Sequence, residues 1–401
     1  MKLLLSLLTL SSTHLASALT LRAPPKLANT YDEAQQFAPT LHTDTQQPIG
    51  LDMLPHGTKG FFRLQLTSNF SHELGYFTEI ALGKPPQRFR VLLDISAADS
   101  FITSVDCSSC ARRGDDFIGY NSSLSSSFRH GGAWADVDYG EFNASGNISQ
   151  DTFSLADLHI HGQLFLDATE FSGGGPSWDD RSIINGILGL TPSCLGSAYK
   201  ASNPFSSAAS QGLLDSNIFA MRLVDPGELM VGGVNRSLYT GDISRVPVTN
   251  ENSSFLLAGR WQTPAESLSI GPSHEIQWSL KGYTAVFTTM WAWIYLPDEV
   301  AYYLNQVFQF EPAMFLPDSV DCRLRDTMPD VVLNLAGIDL TLTPYDYTLE
   351  WDVGRGPTRC VSVFTESELP DKEIVIGSAF LRKFYTVFDL DSRTVGFANL
   401  A

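Results

Sequence analysis

One acid stands where it could do chemistry. Phe89-Arg90-Val91-Leu92-Leu93-Asp94 sets a carboxyl directly after three branched aliphatic residues. Such a run reads as a strand buried on both faces, so a carboxylate at its end is costly unless something uses it. Alone in an apolar pocket, a carboxyl titrates high and can serve as a single acid or base. The plain alternative for Asp94 is a turn residue or cap. Two other spacings bear on chemistry. Cys107-Ser108-Ser109-Cys110 has the spacing of a redox pair, but it lies in a Ser-rich loop after a strand rather than at a helix start, which favours a structural role. His159-Ile160-His161 puts two imidazoles on one face of a strand with no third ligand in view, so surface histidines are expected and no metal site. No Gly-x-Ser-x-Gly elbow, His-Glu-x-x-His helix or phosphate-binding glycine loop occurs, and no cofactor is expected.

The elements around Asp94 point to an all-β architecture. The polar turn Gly83-Lys84-Pro85-Pro86-Gln87 feeds its strand. Phe62, Leu64 and Leu66 alternate, and Tyr76 to Leu82 reads as a further strand. Turn residues recur about every ten positions and long helical patterns are few. One helix is expected from Asp298 to about Phe308, with acids in its first turn.

At 401 residues the chain has room for two full cores. Its net charge of −18 argues against nucleic acid or an anionic membrane surface as partner. Lys2, the apolar Leu3 to Leu10 and Ala16-Ser17-Ala18 have the layout of a secretory signal peptide, too short to span a membrane. Acceptor triplets for N-glycans begin at Asn69, Asn121, Asn143, Asn147, Asn235 and Asn252. In the oxidising compartment this implies, the five cysteines read as two disulfides, Cys107 with Cys110 and Cys322 with Cys360, leaving Cys194 over. The expected destination is the cell exterior or a vacuole-like compartment.

The motifs, in order, resemble those of the pepsin-like aspartic proteases (peptidase A1), of the secreted fungal type. That family sets a Gly-x-Pro-Pro-Gln turn before a strand ending in Asp-Thr-Gly-Ser, and this chain has the turn at Gly83 and the acid at Asp94. Tyr139-Gly140 resembles the tyrosine-glycine pair of the flap that closes over substrate, with Phe142 where glycine is usual. Asn185-Gly186-Ile187-Leu188-Gly189 and Val375-Ile376-Gly377 continue the likeness, which runs from about Gly75 to the end. It implies a bilobal fold, with two β-barrel-like lobes and a cleft between them. The expected divisions are a signal peptide over 1–18, a propeptide-like leader over 19–72, an N-terminal lobe with the flap over 73–260 and a C-terminal lobe over 261–401.

In that family two aspartates share a proton across a water. Aligned on Ala285 and on Tyr295-Leu296-Pro297, the second aspartate's position falls on Thr288, in Thr288-Thr289-Met290-Trp291 where Asp-Thr-Gly-Thr is expected. The first arm reads Asp94-Ile95-Ser96-Ala97. The site is therefore expected to be degenerate, with Asp94 as the one catalytic acid and Tyr139, Gly140, Thr289, Met290 and Trp291 lining the cleft. Ile95 cannot return the hydrogen bond that the family's paired threonines exchange, so Thr289 is expected to lose its mate. Phe101 stands where the family has a tryptophan that pairs with the flap tyrosine, and Trp291 is left open between core and cleft. The expected protein is a monomer that does not hydrolyse peptides and holds a peptide or partner protein in the cleft. The alternatives are a cleft turned to small-molecule, secondary-metabolite chemistry on an apolar ligand, and an unconventional aspartic-type endopeptidase.

Overall fold

The computed structural model describes residues 62–68, 75–107, 110, 118–140, 142–173, 185–193, 195–225, 227–249, 259–271, 276–311, 318–351, 358–367 and 372–401. The signal peptide, most of the leader, Asn69, Asn252 and Cys194 lie outside these residues.

The first half contributes β1 (Phe62–Ser68), β2 (Tyr76–Leu82), β3 (Gln87–Asp94), β4 (Phe101–Thr103), β5 (Arg129–Asp138), β6 (Phe142–Leu155), β7 (Leu158–Gly173), β8 (Gly186–Gly189), helix α1 (Pro204–Ser210), β9 (Ile218–Arg222), β10 (Gly227–Val231) and β11 (Tyr239–Pro247). The second contributes β12 (Gln262–Ile270), β13 (Ile276–Phe287), β14 (Ile294–Leu296), helix α2 (Asp298–Val307), β15 (Ser319–Asp321), β16 (Val331–Leu335), β17 (Ile338–Leu342), β18 (Thr348–Trp351), β19 (Arg359–Ser362), β20 (Phe364–Glu366), β21 (Glu373–Ile376), helix α3 (Ser378–Leu381), β22 (Phe384–Asp389) and β23 (Thr394–Leu400). The described residues are mostly strand, as an all-β fold requires. No described helix is long and apolar enough to cross a membrane.

The two halves repeat one plan. In the first, β3 runs parallel to β8, β8 pairs antiparallel with β4, and β4 runs parallel to β7. In the second, β13 runs parallel to β21, β21 pairs antiparallel with β14, and β14 runs parallel to β20. The loops after β3 and β13 therefore hold equivalent places. Glycine is required at the matching crossings. A Cβ on Gly189 would come within 2.6 Å of the Ala97 carbonyl oxygen, and one on Gly377 within 2.6 Å of the Trp291 carbonyl oxygen. No real Cβ tolerates such an approach, so each loop presses its backbone onto a strand that must offer none.

The halves are also welded. Among the described residues a 13-stranded sheet runs β11-β23-β22-β9-β10-β1-β2-β3-β8-β4-β7-β6-β5, with a 7-stranded sheet β17-β16-β12-β13-β21-β14-β20 beside it. The last two strands of the chain thus lie among strands from its first half: β22 pairs with β9 and β23 with β11. Stacked Phe219 and Phe388, with centroids 4.7 Å apart, and the buried Trp261 against Phe388 fill the core at this seam. Aromatic packing of this kind excludes water from the ground on which the cleft rests.

Candidate functional site

Asp94 is the last residue of β3, 4% exposed, after Val91, Leu92 and Leu93, all buried. The register Asp94↔Gly189 and the bond from Leu190 N–H to the Asp94 carbonyl, 2.9 Å, fix its backbone. Its carboxylate is held from its own loop. Oδ1 accepts from the Ser96 amide at 2.7 Å and from the Ser96 hydroxyl at 2.6 Å. Burial pushes the Asp94 carboxyl above its ordinary value, while the Ser96 hydroxyl and amide, the Arg260 guanidinium and the Ala97 amide pull it back. No second carboxylate bonds Asp94 among the described residues.

Across the lobe junction, Thr288 holds the place equivalent to Asp94. Its Oγ1 accepts from Met290 N–H at 3.1 Å, as Asp94 Oδ1 accepts from Ser96 N–H, in each case two residues on. The Ser96 hydroxyl lies 3.0 Å from Thr288 Oγ1. One serine hydroxyl therefore bridges the acid of one arm and the hydroxyl of the other. The sequence alignment located Thr288; the bridging role of Ser96 emerges only from the folded arrangement.

Thr289 keeps its hydrogen bonds without a mate. It has no threonine opposite, since position 95 is isoleucine, yet it is fully buried and satisfied. Its hydroxyl donates to the Leu93 carbonyl at 2.7 Å and accepts from Ile95 N–H at 3.2 Å. The backbone flanking Asp94 supplies both partners, so half of a reciprocal lock survives without its mate's side chain. Ile95 is itself fully buried.

The flap is the β5–β6 hairpin. Tyr139 N–H donates to the Phe142 carbonyl at 2.9 Å, and Gly140 takes φ +91° with its amide on Asp138 Oδ1 at 2.7 Å. That φ favours glycine. Phe142 does not project from the tip. It is buried, stacked on Tyr139 at 5.1 Å and edge-on to Phe101 at 6.1 Å. Tyr139 also meets Phe101 edge-on at 5.3 Å and donates its hydroxyl to the Asp99 carbonyl at 3.3 Å. Phenylalanine at 101 thus still gives the flap tyrosine a ring. Burial pushes the Tyr139 phenol far up, with Tyr199, Asp99 and Asp94 acting in the same sense, so it stays a neutral donor.

Met290 joins this N-terminal aromatic cluster, and Trp291 packs against both it and the main core. Trp291 is half-buried. The structure therefore gathers Asp94, Ser96, Thr288, Thr289, Met290 and Trp291 at one junction, with Tyr139 reaching the Asp99 carbonyl beside it, while Gly140 stays exposed at the hairpin tip. Arg260 also belongs here and was missed by sequence reasoning. It precedes Trp261, whose indole N–H donates to the Leu190 carbonyl at 2.8 Å, and Leu190 N–H donates to the Asp94 carbonyl. Burial pushes its guanidinium down, while Asp94 and Glu373 hold it up. A cation beside Trp261-Gln262, at the opening of the second half, was the available signal.

The remaining candidates lie elsewhere. Cys107–Cys110 and Cys322–Cys360 are disulfides, with Cα–Cα distances of 5.4 and 4.9 Å. His159 and His161 are exposed on β7, and His159 Nδ1 lies 2.8 Å from the Ser154 hydroxyl. Among the described residues no group of three or more His, Cys, Asp or Glu could hold a metal. Asn121 and Asn235 cap short turns, each accepting from the amide of the serine of its own triplet, while Asn143 and Asn147 are exposed on β6.

The family model described as "Eukaryotic aspartyl protease" matches residues 75–400. The chain is 33% identical over 335 residues to "Vacuolar protease A" of Aspergillus fumigatus, covering 81% of this chain and 78% of the relative. It is 31% identical over 369 residues to "Vacuolar aspartic protease" of Candida albicans, covering 89% and 82%. "Cathepsin D" of Dictyostelium discoideum is 31% identical over 340 residues, covering 81% and 83%.

Proposed function

The chain belongs to the eukaryotic aspartyl protease family, and we propose that it is a non-proteolytic member whose cleft holds a peptide segment or a partner protein. The observation that carries this is the Ser96 hydroxyl, 2.6 Å from Asp94 and 3.0 Å from Thr288. Two-carboxylate hydrolysis needs a water held between two acids, one taking its proton while the other protonates the scissile carbonyl. Here a side-chain hydroxyl takes the bridging place, and a second hydroxyl takes the place of the second acid. Neither serine nor threonine exchanges a proton usefully near neutral or acidic pH. Losing one acid alone costs such a step about 10²- to 10⁴-fold.

A second reading is favoured by one specific feature. Phe142 and Met290 share one apolar cluster with Trp291 packed against it, close to a lone buried acid. An apolar small molecule seated there would meet Asp94 as its single acid or base.

The compartment belongs to the same proposal. We read the chain as an exported monomeric glycoprotein with a signal peptide over 1–18 and a leader over 19–72, delivered outside the cell or to a vacuole. The names of its fungal relatives, vacuolar protease A and vacuolar aspartic protease, agree with the latter.

The test is direct. Purified protein is incubated with unfolded protein substrate at pH 3 to 6, with and without pepstatin, beside an Asp94→Ala variant. No pepstatin-sensitive cleavage is expected. Cleavage that pepstatin blocks and Asp94→Ala abolishes would establish an unconventional endopeptidase and end the proposal. Calorimetric titration of the same protein with a peptide library and with apolar small molecules separates the two binding readings.

A further inference from the structure

The outer face of the flap carries an aromatic side chain that the cleft does not use. Trp134 on β5 is 50% exposed. A single exposed apolar residue is ordinary, but the register makes this one unusual. Trp134 pairs directly with Asn147 on β6, and Asn147-Ile148-Ser149 is an N-glycan acceptor triplet. Residues directly opposite in an antiparallel pair share a face, with Cβ atoms about 4.5–5.5 Å apart. Asn147 is exposed, whereas Ile148 and Ala144 point inward, so the indole and the acceptor amide emerge side by side into solvent. Between β5 and β6 the pairing runs unbroken from Trp134↔Asn147 to Asp138↔Asn143, so this juxtaposition is set by backbone and not by a loop.

We propose that Asn147 carries an N-linked glycan whose first N-acetylglucosamine lies on the Trp134 indole, making the outside of the flap hairpin a sugar-covered strut. The inference rests on export through the secretory route. In the transfer, Asn147 Nδ2 forms a bond to C1 of the sugar and loses one proton to the transferase's base. The bond from that C1, at the reducing end of the donor oligosaccharide, to the oxygen of its polyprenyl-diphosphate carrier breaks, and the diphosphate leaves with the electron pair. The indole then offers a flat apolar face to the C–H face of the sugar, removing from water the surface that Trp134 now exposes. The other described acceptors have no such directly opposed aromatic. Asn143 faces Asp138, and Asn121 and Asn235 sit in short turns folded onto their own serines.

The test uses the full chain with its own N-terminal segment, secreted from a eukaryotic host. Peptide mass spectrometry after trimming to a single N-acetylglucosamine is expected to find that sugar on Asn147. Thermal melts are then compared in a cycle of wild type, Asn147→Gln, Trp134→Ala and the double variant. Loss of the sugar should lower Tm by roughly 1–4 °C when Trp134 is present and leave it unchanged when Trp134 is alanine. The N-acetyl methyl resonance of the trimmed glycan should move upfield in wild type and return in Trp134→Ala, a readout independent of stability. A bare Asn147 beside occupied sites overturns the proposal alone; a protein bare at every triplet overturns it together with export. An equal Tm effect in both backgrounds overturns the stacking.

Discussion

Asp94 keeps its carboxylate in a buried site by accepting two bonds from one residue, Ser96. Burial still outweighs those bonds and the pull of Arg260, so its carboxyl sits above the ordinary value. The consequence for stability has a definite sign. The folded protein retains the Asp94 proton at a pH where the unfolded chain has lost it. Stability therefore falls as pH rises from the ordinary carboxylate value, about 4, to the higher folded value. Asn at 94 has no charge to desolvate. Asp94→Asn should raise Tm at pH 7, and the gain should vanish towards pH 3; melts across that range check it. An equal shift at every pH would mean that Asp94 is effectively solvated. At this scale much was legible. An acid after Val91-Leu92-Leu93 had to be buried, and Thr288 could be counted into register. The Ser96 bridge could not be read, because it depends on a side chain of one arm reaching a hydroxyl 192 residues away in sequence.

The flap shows how an element's role can turn on one side chain. Phe142, at a position where the family favours glycine, reads in sequence as a bulky residue at a tip. In the fold it turns inward and stacks on Tyr139, with Phe101 and Phe171 around it. The hairpin is thereby fastened to the body of the first half rather than left to hinge freely. Phe142→Gly should cost about 3–5 kcal/mol if the site behaves as a filled core position, and should raise amide exchange in 137–144 far more than elsewhere. Hydrogen-exchange mass spectrometry reads this directly. Unchanged exchange there would show that Phe142 does not anchor the flap. The turn was legible, since Tyr139-Gly140 marks it by the φ it needs. The direction of Phe142 was not, because the tip permits either face and the surrounding aromatic rings decide it.

At the scale of the whole molecule, the halves are joined at two levels. The 13-stranded sheet draws β22 and β23 in beside β9 and β11, and Thr289 bonds the backbone on both sides of Asp94. Thr289→Val would leave the Ile95 amide and the Leu93 carbonyl buried without that partner. A loss of roughly 1–3 kcal/mol per unsatisfied group is expected, seen as a lower denaturant midpoint with one cooperative transition retained. Two separated transitions would show that the halves unfold independently and that this contact does not couple them. What the sequence by itself determined is the strand plan and the arms: apolar runs and turn residues act through local backbone geometry, which neighbouring residues dictate. What only the tertiary structure decided is which atoms face each other where the arms meet. Ser96 stands between Asp94 and Thr288, backbone replaces a missing threonine for Thr289, and the charge of Arg260 acts on the acid. These are contacts between residues far apart in the chain, and their partners exist only once strands from both halves have closed on one another.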